Sequence, residues 1–189
     1  MIREVMWTAW EQPGLGHLRL AVRDGGVMAD GMVLGVAEQG RPFRLAYGVR
    51  CDAYWRVRYA RVGLPGEPPK TELLSDGEGN WATSDGRAVA YLEGCGYVDI
   101  SVTPFTNTLP IRRLGLAPGE SADVTVAYFD GYELQPWPEP QRYTRLAEDG
   151  DGDGMYRFAS LDGGFTADLA VDPDGLVVDY PRLFKRVLG

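Results

Sequence analysis

Short runs of alternating apolar and polar residues recur along this chain, and they predict β-strands. Residues 18–22 alternate well and residues 4–10 alternate more loosely. Such alternation turns successive side chains to opposite faces of a sheet, as in a strand with one buried face. Asp24, Gly25 and Gly26 follow the run at residues 18–22 and are typical of a hairpin turn. The start of the chain therefore predicts a meander of paired strands.

The same pattern continues to the C-terminus, with no long stretch of convincing helical period. Residues 63–70 contain three prolines and predict a loop. Residues 132–140 predict a crossing loop, because Pro136 and Pro138 cannot donate to a regular ladder. One short helix is expected at residues 181–188. Further strands are predicted at residues 27–36, 43–51, 54–61, 72–74, 87–92, 98–103, 111–116, 123–129, 142–146, 155–160, 165–171 and 176–178.

The predicted fold class is all-β, with a single domain over residues 1–189. So many strands must pack as two sheets or form one curled sheet. We expect many short strands with at most a short C-terminal helix. A curled sheet that does not close leaves an apolar concave face, which is a ligand site or an interface. Three predicted strands offer residues to line this face or to form ordinary core: Trp55, Val57 and Tyr59; Val124, Val126 and Tyr128; Phe165, Ala167, Leu169 and Val171.

Composition narrows the possible partners. The 25 Gly and 13 Pro residues require many turns, and the net charge of −8 argues against nucleic acid or an anionic membrane as the main partner.

Arg3 and Glu4 interrupt the N-terminal apolar residues, so we expect no secretory signal and no integral membrane association. Cys51 and Cys95 are the only thiols, which predicts a reduced, cytoplasmic protein without a disulfide framework. The oligomeric state stays open.

The segment VDISVTPFTNTLPIRRL, residues 98–114, concentrates polar groups beside a strand-like alternation. Pro104 and Pro110 disfavour a long regular helix through it, so we expect an irregular crossing or a kinked edge. On a strand, the adjacent Arg112 and Arg113 would point to opposite faces, and the inward guanidinium would need a partner. Asp99 could supply a structural ion pair, or a ligand headgroup could be held bidentately.

At these residues the chain resembles the bacterial family of glycolipid-binding domains that was formerly a domain of unknown function. The blocks that carry the resemblance are CDAYWRVR (51–58), DGEGNW (76–81), LEGCGYVDISVTPFTNTLPIRRL (92–114), QRYTRL (141–146) and GFTADLAVDPDGLVVDYPRLFKR (164–186). The resemblance implies an incomplete antiparallel β-barrel similar to that of periplasmic lipoprotein carriers, whose concave apolar face holds acyl chains. It also implies glycolipid binding.

Catalytic signals are weak. His17 is the only histidine, and the chain has no nucleophile elbow, phosphate loop, dinucleotide fingerprint or metal-binding helix motif. We therefore expect no catalysis, no cofactor and no metal. The 27 acidic residues leave a carboxylate-pair hydrolase acting on a carbohydrate-containing lipid as an open alternative.

The acidic run EDGDGDG, residues 148–154, resembles the opening of a calcium loop. Its twelfth position is Ser160 instead of a bidentate acid, and the next segment predicts a strand. We therefore expect an acidic hairpin loop without calcium.

These observations predict a non-catalytic protein that binds an amphiphile, such as a glycolipid, in the concave face of an open β-barrel. The alternative is a protein-interaction or scaffold domain, for which Trp137 among its prolines and the loop at residues 63–70 would suit a protein partner. The candidate ligand-binding residues are Trp55, Asp99, Asn107, Arg112, Arg113, Tyr128 and Phe165.

Overall fold

Fourteen strands dominate the computed structural model, which describes residues 1–37, 40–146 and 154–189. The acidic run at residues 148–153 lies outside the described residues. One α-helix, α1 (Thr108–Leu114), and two 3₁₀ turns, Ala90–Leu92 and Pro104–Asn107, complete the regular elements described. The strands are β1 (Ile2–Ala9), β2 (Gly14–Arg23), β3 (Gly26–Val36), β4 (Pro42–Cys51), β5 (Val57–Gly63), β6 (Thr71–Ser75), β7 (Trp81–Thr83), β8 (Tyr97–Ile100), β9 (Ser121–Phe129), β10 (Pro136–Arg145), β11 (Gly154–Ser160), β12 (Thr166–Val171), β13 (Val177–Tyr180) and β14 (Phe184–Leu188).

All of these strands belong to one sheet, in the order β7-β6-β5-β4-β3-β2-β1-β14-β13-β12-β11-β10-β9-β8. Neighbours are antiparallel, except that β8 runs parallel to β9. The sheet does not close through strand pairing, since β7 and β8 form its two edges. The Trp81 indole, on β7, donates to the carbonyl of Cys95, just before β8, at 2.7 Å. The predicted all-β, incomplete barrel is confirmed.

The predicted alternation determines which face of each strand is buried. Along β3, Val27, Ala29, Gly31 and Val33 are buried while the residues between them are exposed. The register to β4 places Gly31 opposite Tyr47, so the odd-numbered residues of both strands face the interior. The pattern of residue types was therefore sufficient to orient these strands.

The crossing loop predicted at residues 132–140 is wrong in its second half, where β10 begins at Pro136 and pairs with β9. Every second residue of a strand turns its backbone N and C=O toward the same neighbouring strand. The Pro140 carbonyl accepts from Leu161 N, so Pro140 faces the β11 side. Pro136, Pro138 and Pro140 therefore all turn their ring nitrogens away from β9. β11 pairs with β10 only from Gln141 onward, so the N–H groups that these prolines lack are not needed for the hydrogen bonds between β10 and β11.

The strand predicted at residues 111–116 is also wrong, because residues 104–114 form a 3₁₀ turn followed by α1. We call residues 104–114 the plug. The Thr103 hydroxyl accepts from Phe105 N, and Gly115 ends α1 in the left-handed conformation at φ 56°. Pro104 opens the 3₁₀ turn and Pro110 lies in the first turn of α1, where a backbone donor is not needed.

Two other elements differ from expectation. Residues 87–92 were expected to form a strand, but they contain the 3₁₀ turn Ala90–Leu92. Residues 181–188 were expected to form a short helix, but they make a turn and then β14. β14 pairs with β1, so the C-terminal segment satisfies its backbone groups in the sheet.

The plug fills the interior of the curled sheet. Phe105 and Leu109 are fully buried, and the Phe105 ring stacks on that of Tyr47 at 6.3 Å between centroids. The Tyr47 hydroxyl lies 3.1 Å from the Thr103 hydroxyl and forms a buried hydrogen bond with it. Tyr47 has room for its ring because residue 31 opposite is glycine. The concave face is therefore packed against the protein's own side chains.

Replacing Gly31 with Ala should destabilise the protein by at least about 2 kcal/mol, because the added Cβ would overlap the Tyr47 ring. Urea unfolding followed by circular dichroism measures this loss. Gly16→Ala is the matched control, since its Cβ would meet its nearest neighbour only at 3.8 Å. The control should change stability by less than about 0.5 kcal/mol. Equal effects in the two variants would contradict the close packing of Tyr47 against Gly31.

A buried ionic cluster joins the two ends of the chain. Arg3 on β1 and Arg186 on β14 both donate to Asp172 Oδ2, at 2.9 and 2.6 Å. Asp172 is 7% exposed, and its Oδ1 accepts from the backbone of Asp174 and Leu176. Burial alone would raise the pKa of Asp172, but the hydrogen bonds from Arg186 and the Leu176 backbone outweigh it, so the pKa is lowered.

Changing Asp172 to Asn should cost about 3 kcal/mol at pH 7, because two guanidinium groups lose their shared carboxylate. The lowered pKa means that the ionised carboxylate stabilises the fold above its unfolded pKa of about 3.9. This contribution is lost as the pH falls through the lower folded value, so wild type and variant should converge in acid. Denaturant unfolding at pH 7 and below pH 4 checks this. Asp168→Asn, which breaks an exposed pair with Arg157, should cost less than about 1 kcal/mol.

Candidate functional site

A wide cleft opens at one mouth of the curled sheet. It is bordered by the last residues of β1, β3 and β9 and the first residues of β2, β4, β10 and β14. Neighbouring antiparallel strands bring these ends to the same edge of the sheet. The cleft has a volume of about 900 Å³, and we call it the outer cleft. Its aromatic lining residues are Trp7, Phe43, Tyr128, Tyr132, Trp137 and Phe184.

Two aromatic pairs shape the walls of the outer cleft. Tyr128 and Trp137, on the paired strands β9 and β10, pack with ring centroids 5.0 Å apart. Phe43 and Tyr132 pack edge to face at 5.1 Å. Trp137 remains 40% exposed, so much of its ring surface faces solvent. Charged lining residues of both signs accompany these rings: Glu11, Arg41, Asp130, Glu133 and Arg182.

A narrower pocket of about 320 Å³ lies beside the outer cleft, and we call it the inner pocket. Ser101, Tyr128, Leu183 and Phe184 line both spaces, so the two spaces adjoin. The inner pocket is lined by Asp99, Ile100, Ser101, Thr103, Asn107, Tyr128, Glu139, Phe158, Ser160, Phe165, Tyr180, Leu183 and Phe184.

Asp99 lies at the centre of the polar side of the inner pocket. Its carboxylate accepts from Thr106 Oγ1 at 2.7 Å and from Gln141 Nε2 at 2.8 Å. Burial raises the pKa of Asp99, and the hydrogen bonds from Gln141 and Thr106 offset this only in part. The pKa of Tyr128 rises to about 12, through burial first and then through the charge of Asp99. Since no described residue that lines the inner pocket is Lys, Arg or His, the Asp99 carboxyl dominates the electrostatics of this pocket.

Gln141 connects Asp99 to a second carboxyl. Its Nε2 also donates to Glu139 Oε1 at 3.4 Å, and its Oε1 accepts from Tyr143 at 3.3 Å. Asn107 Nδ2 in turn donates to the Tyr143 hydroxyl at 2.9 Å. Burial raises the pKa of Glu139, and the neighbouring charge of Asp99 adds to this effect. One network thus holds two carboxyls and two amides in fixed orientations.

Four of the predicted site residues come together in the inner pocket. Asp99 lies on β8, Asn107 ends the 3₁₀ turn of the plug, Tyr128 lies on β9, and Phe165 precedes β12. Tyr128 also lines the outer cleft. Trp137, which the scaffold alternative assigned to a protein partner, lies against Tyr128 in the same site.

The other three predicted residues lie outside both spaces, where the chain leaves β4 and α1 ends. Arg112 lies over the Trp55 ring at 5.4 Å from the centroid and donates to the Pro173 carbonyl at 3.4 Å. Trp55 lies before β5 with φ 62°, not on the strand. Arg113 lies over the Tyr97 ring at 5.1 Å.

The expected geometry of the arginines needs correction. Arg112 and Arg113 occupy the last turn of α1, so they do not alternate as on a strand. Within the described ranges neither forms an ion pair with Asp99, whose side-chain partners are Thr106 and Gln141. The proposed structural pair between Asp99 and an arginine is therefore wrong.

Residues 4–186 match the sequence profile of the family described as "Putative glycolipid-binding". The chain belongs to this family. A crystal structure of a DUF1089 family protein from Pseudomonas aeruginosa is similar at 38% sequence identity, with a TM-score of 0.78. The match covers 95% of this chain and 92% of that one. These findings confirm the resemblance inferred from the sequence blocks.

A second solved structure shares the fold of this glycolipid-binding family member. It is a β-barrel-like protein of the DUF1849 domain from Brucella abortus, at 11% identity and a TM-score of 0.53. The match covers 99% of this chain and 95% of that one. A search of proteins with curated functions finds no significant match. Among residues 1–37, 40–146 and 154–189, no helix has the length and apolar character to cross a membrane.

Sequence reasoning missed several residues of the site in this glycolipid-binding family member. Glu139 and Trp137 were assigned to a crossing loop, although both share the odd positions of β10 with Gln141 and Tyr143. Recognising alternation through the prolines would have placed these four side chains on one face. Tyr180 and Phe184 were missed because they flank a turn that we had expected to begin a helix.

The raised pKa of Asp99 predicts a specific pH dependence of stability. A carboxyl whose folded pKa is raised contributes stability when protonated and loses it as the pH rises through the folded value. Relative to wild type, Asp99→Asn should therefore gain stability as the pH rises from 3.5 to 7.5. Denaturant unfolding across this range measures the difference.

Asp123→Asn is the matched control for this series. The hydrogen bond from Arg142 lowers the pKa of Asp123, so this variant should lose stability relative to wild type with rising pH. If the stability difference from wild type changes with pH in the same direction for both variants, the raised pKa of Asp99 is contradicted.

Proposed function

We propose that this protein binds an amphiphile with a sugar-containing headgroup in the site formed by the outer cleft and the inner pocket. The observation that carries the proposal is the aromatic lining of the open mouth, led by the Tyr128 and Trp137 pair. The C–H faces of a sugar ring are apolar and pack well on exposed aromatic faces, while its hydroxyls need polar partners at the edges. The outer cleft offers both.

Membership of the glycolipid-binding family supports the same class of ligand. The aromatic and aliphatic walls supply apolar burial, at about 25 cal/mol per Å² before the costs of ordering the ligand. Charged side chains such as Arg41 and Glu133 lie where headgroup hydroxyls could be hydrogen-bonded. Shape and chemistry together favour binding over catalysis.

The plug changes where the ligand lies. We expected the concave face to hold the amphiphile, but residues 104–111 are buried there. We therefore assign ligand contact to Asp99, Asn107, Tyr128 and Phe165, at the mouth of the sheet. Trp55, Arg112 and Arg113 are assigned a structural role, since their aromatic and backbone contacts join the end of α1 to neighbouring loops.

We further propose that residues 1–189 act as one domain in a reducing, cytoplasmic setting, without nucleic acid as a partner. The pairing of β1 with β14, which places both ends of the chain in one sheet, supports a single domain. Cys51 and Cys95 are both buried as free thiols, and the net charge is −8. Burial raises the pKa of the Cys51 thiol to about 12 and that of Cys95 to about 11, which suits unreactive core cysteines.

Replacing Gly16 with Phe should close the outer cleft while preserving the fold. Gly16 lines the cleft, and a Cβ there would meet no atom nearer than 3.8 Å, so the ring would extend into open space. We expect binding of octyl β-glucoside below its micellar concentration to weaken at least tenfold, about 1.4 kcal/mol. Isothermal titration calorimetry measures affinity, and thermal unfolding verifies that the variant folds.

Met28→Phe adds a ring on the solvent face of β3 and is the matched control, with unchanged affinity expected. A mass spectrum of the organic extract from detergent-free protein provides an independent test. A stoichiometric amphiphile supports the proposal. An empty extract, together with no binding of octyl β-glucoside or total bacterial lipids by wild type, would reject it in favour of a protein-interaction domain.

A further inference from the structure

The inner pocket holds two carboxyls and no basic side chain among its lining residues. The carboxyls are those of Asp99 and Glu139. In the part of the chain that the structure describes, neither carboxyl lies in an ion pair, whereas the outer cleft includes Arg41 and Arg182. Two partly buried carboxyls without a counter-ion oppose their own ionisation. A cation entering the pocket would offset this cost.

Aromatic rings also line the inner pocket, and we call them the aromatic wall. Phe158, Phe165 and Tyr180 pack as a triangle with centroid separations of 6.2, 6.4 and 6.3 Å. Phe184 extends the wall, with its ring 6.0 Å from Tyr180. The π-faces of such rings attract organic cations, and clustered rings are the usual means of binding alkylated ammonium groups.

A third observation concerns the amide of Asn107. The residue is 3% exposed, lines the inner pocket, and uses Nδ2 to donate to Tyr143. No donor among the described residues bonds to its Oδ1, in contrast to the fully used amide of Gln141. Because Asn107 lines the inner pocket, this acceptor is available to a ligand that brings its own hydrogen-bond donor.

We propose that the inner pocket binds an organic ammonium group, so that the amphiphile is a cationic or amine-bearing one. This inference rests on the proposed function and names the chemistry of its headgroup. The carboxylates of Asp99 and Glu139 neutralise the charge, Asn107 Oδ1 accepts an N–H, and the aromatic wall contacts the alkyl substituents.

A metal ion fits this pocket less well. The described residues contain no group of three or more His, Cys, Asp or Glu side chains that could hold one. Hard cations need six or more oxygen ligands, and the apolar rings supply none.

The test compares probes that share an octyl chain and differ only in headgroup. Octylammonium, octyltrimethylammonium and octyl 2-amino-2-deoxyglucoside carry the ammonium group, while octyl β-glucoside is neutral and octanoate is anionic. We expect the ammonium probes to bind wild type about tenfold more tightly than octyl β-glucoside, with octanoate weakest. Isothermal titration calorimetry at pH 7.5, below micellar concentrations, measures each affinity.

Variants identify the pocket as the origin of this preference. Glu139→Gln keeps the size of the side chain and removes its charge, so the preference for ammonium should fall at least threefold. Asp99→Asn gives a second, independent loss should Glu139→Gln fold poorly, as judged by thermal unfolding. Glu78→Gln makes the same chemical change at an exposed pair with Arg56, outside both spaces, and should leave the preference intact.

The outcomes separate this inference from the proposed function. A preference for the amino sugar over octyltrimethylammonium assigns the ammonium to a sugar headgroup, and the reverse preference assigns it to a quaternary headgroup; both support the inference. Octyl β-glucoside binding as tightly as the ammonium probes, with no change in Glu139→Gln, overturns the inference and leaves the proposed function standing. No binding of any probe overturns both.

Discussion

The fold depends on covering the concave apolar face of a single curled sheet. A sheet of this size cannot leave one face in water, and here the chain itself supplies the cover. The plug enters between the two halves of the sheet, and Phe105 and Leu109 become fully buried against it. Tyr47 fixes the position of the plug, because its ring stacks on Phe105 while its hydroxyl bonds to Thr103. Gly31 provides the space that this arrangement needs.

The plug also determines where a ligand can bind. With the interior packed, the outer cleft opens at the mouth, where strand ends and turns converge on Tyr128 and Trp137. The two adjoining spaces differ in charge. The outer cleft combines aromatic rings with charged side chains of both signs, whereas the residues that line the inner pocket include two acidic side chains and no basic one. An amphiphile with a defined headgroup would therefore meet two environments in sequence. The network around Gln141 holds the polar side of the inner pocket rigid, which reduces the cost of ordering on binding.

Contacts between distant segments hold this arrangement together. β1 pairs with β14, and Asp172 connects the two strands through Arg3 and Arg186. This junction joins the meander of β1 to β7 to the meander of β9 to β14 and its parallel edge strand β8, and without it the two would be separate sheets. The opposite edges approach each other where the Trp81 indole reaches the Cys95 carbonyl. The mouth with its cleft exists because the sheet is held curled in this way.

The sequence by itself determined the all-β class, most of the strands and the family, because alternation and turn residues act over a few neighbouring positions. It also gave seven candidate ligand-binding residues, of which Asp99, Asn107, Tyr128 and Phe165 line the inner pocket and Trp55, Arg112 and Arg113 do not. Only the tertiary structure decided that the segment at residues 104–114 is helical, since so short a helix depends on burial more than on its own period. Tertiary structure also decided that the prolines of β10 fit a strand, because this depends on which strand lies beside them. Glu139 comes near Asp99 only because β8 and β10 both lie beside β9. Local patterns set the direction of each side chain, but long-range pairing decided which side chains face one another.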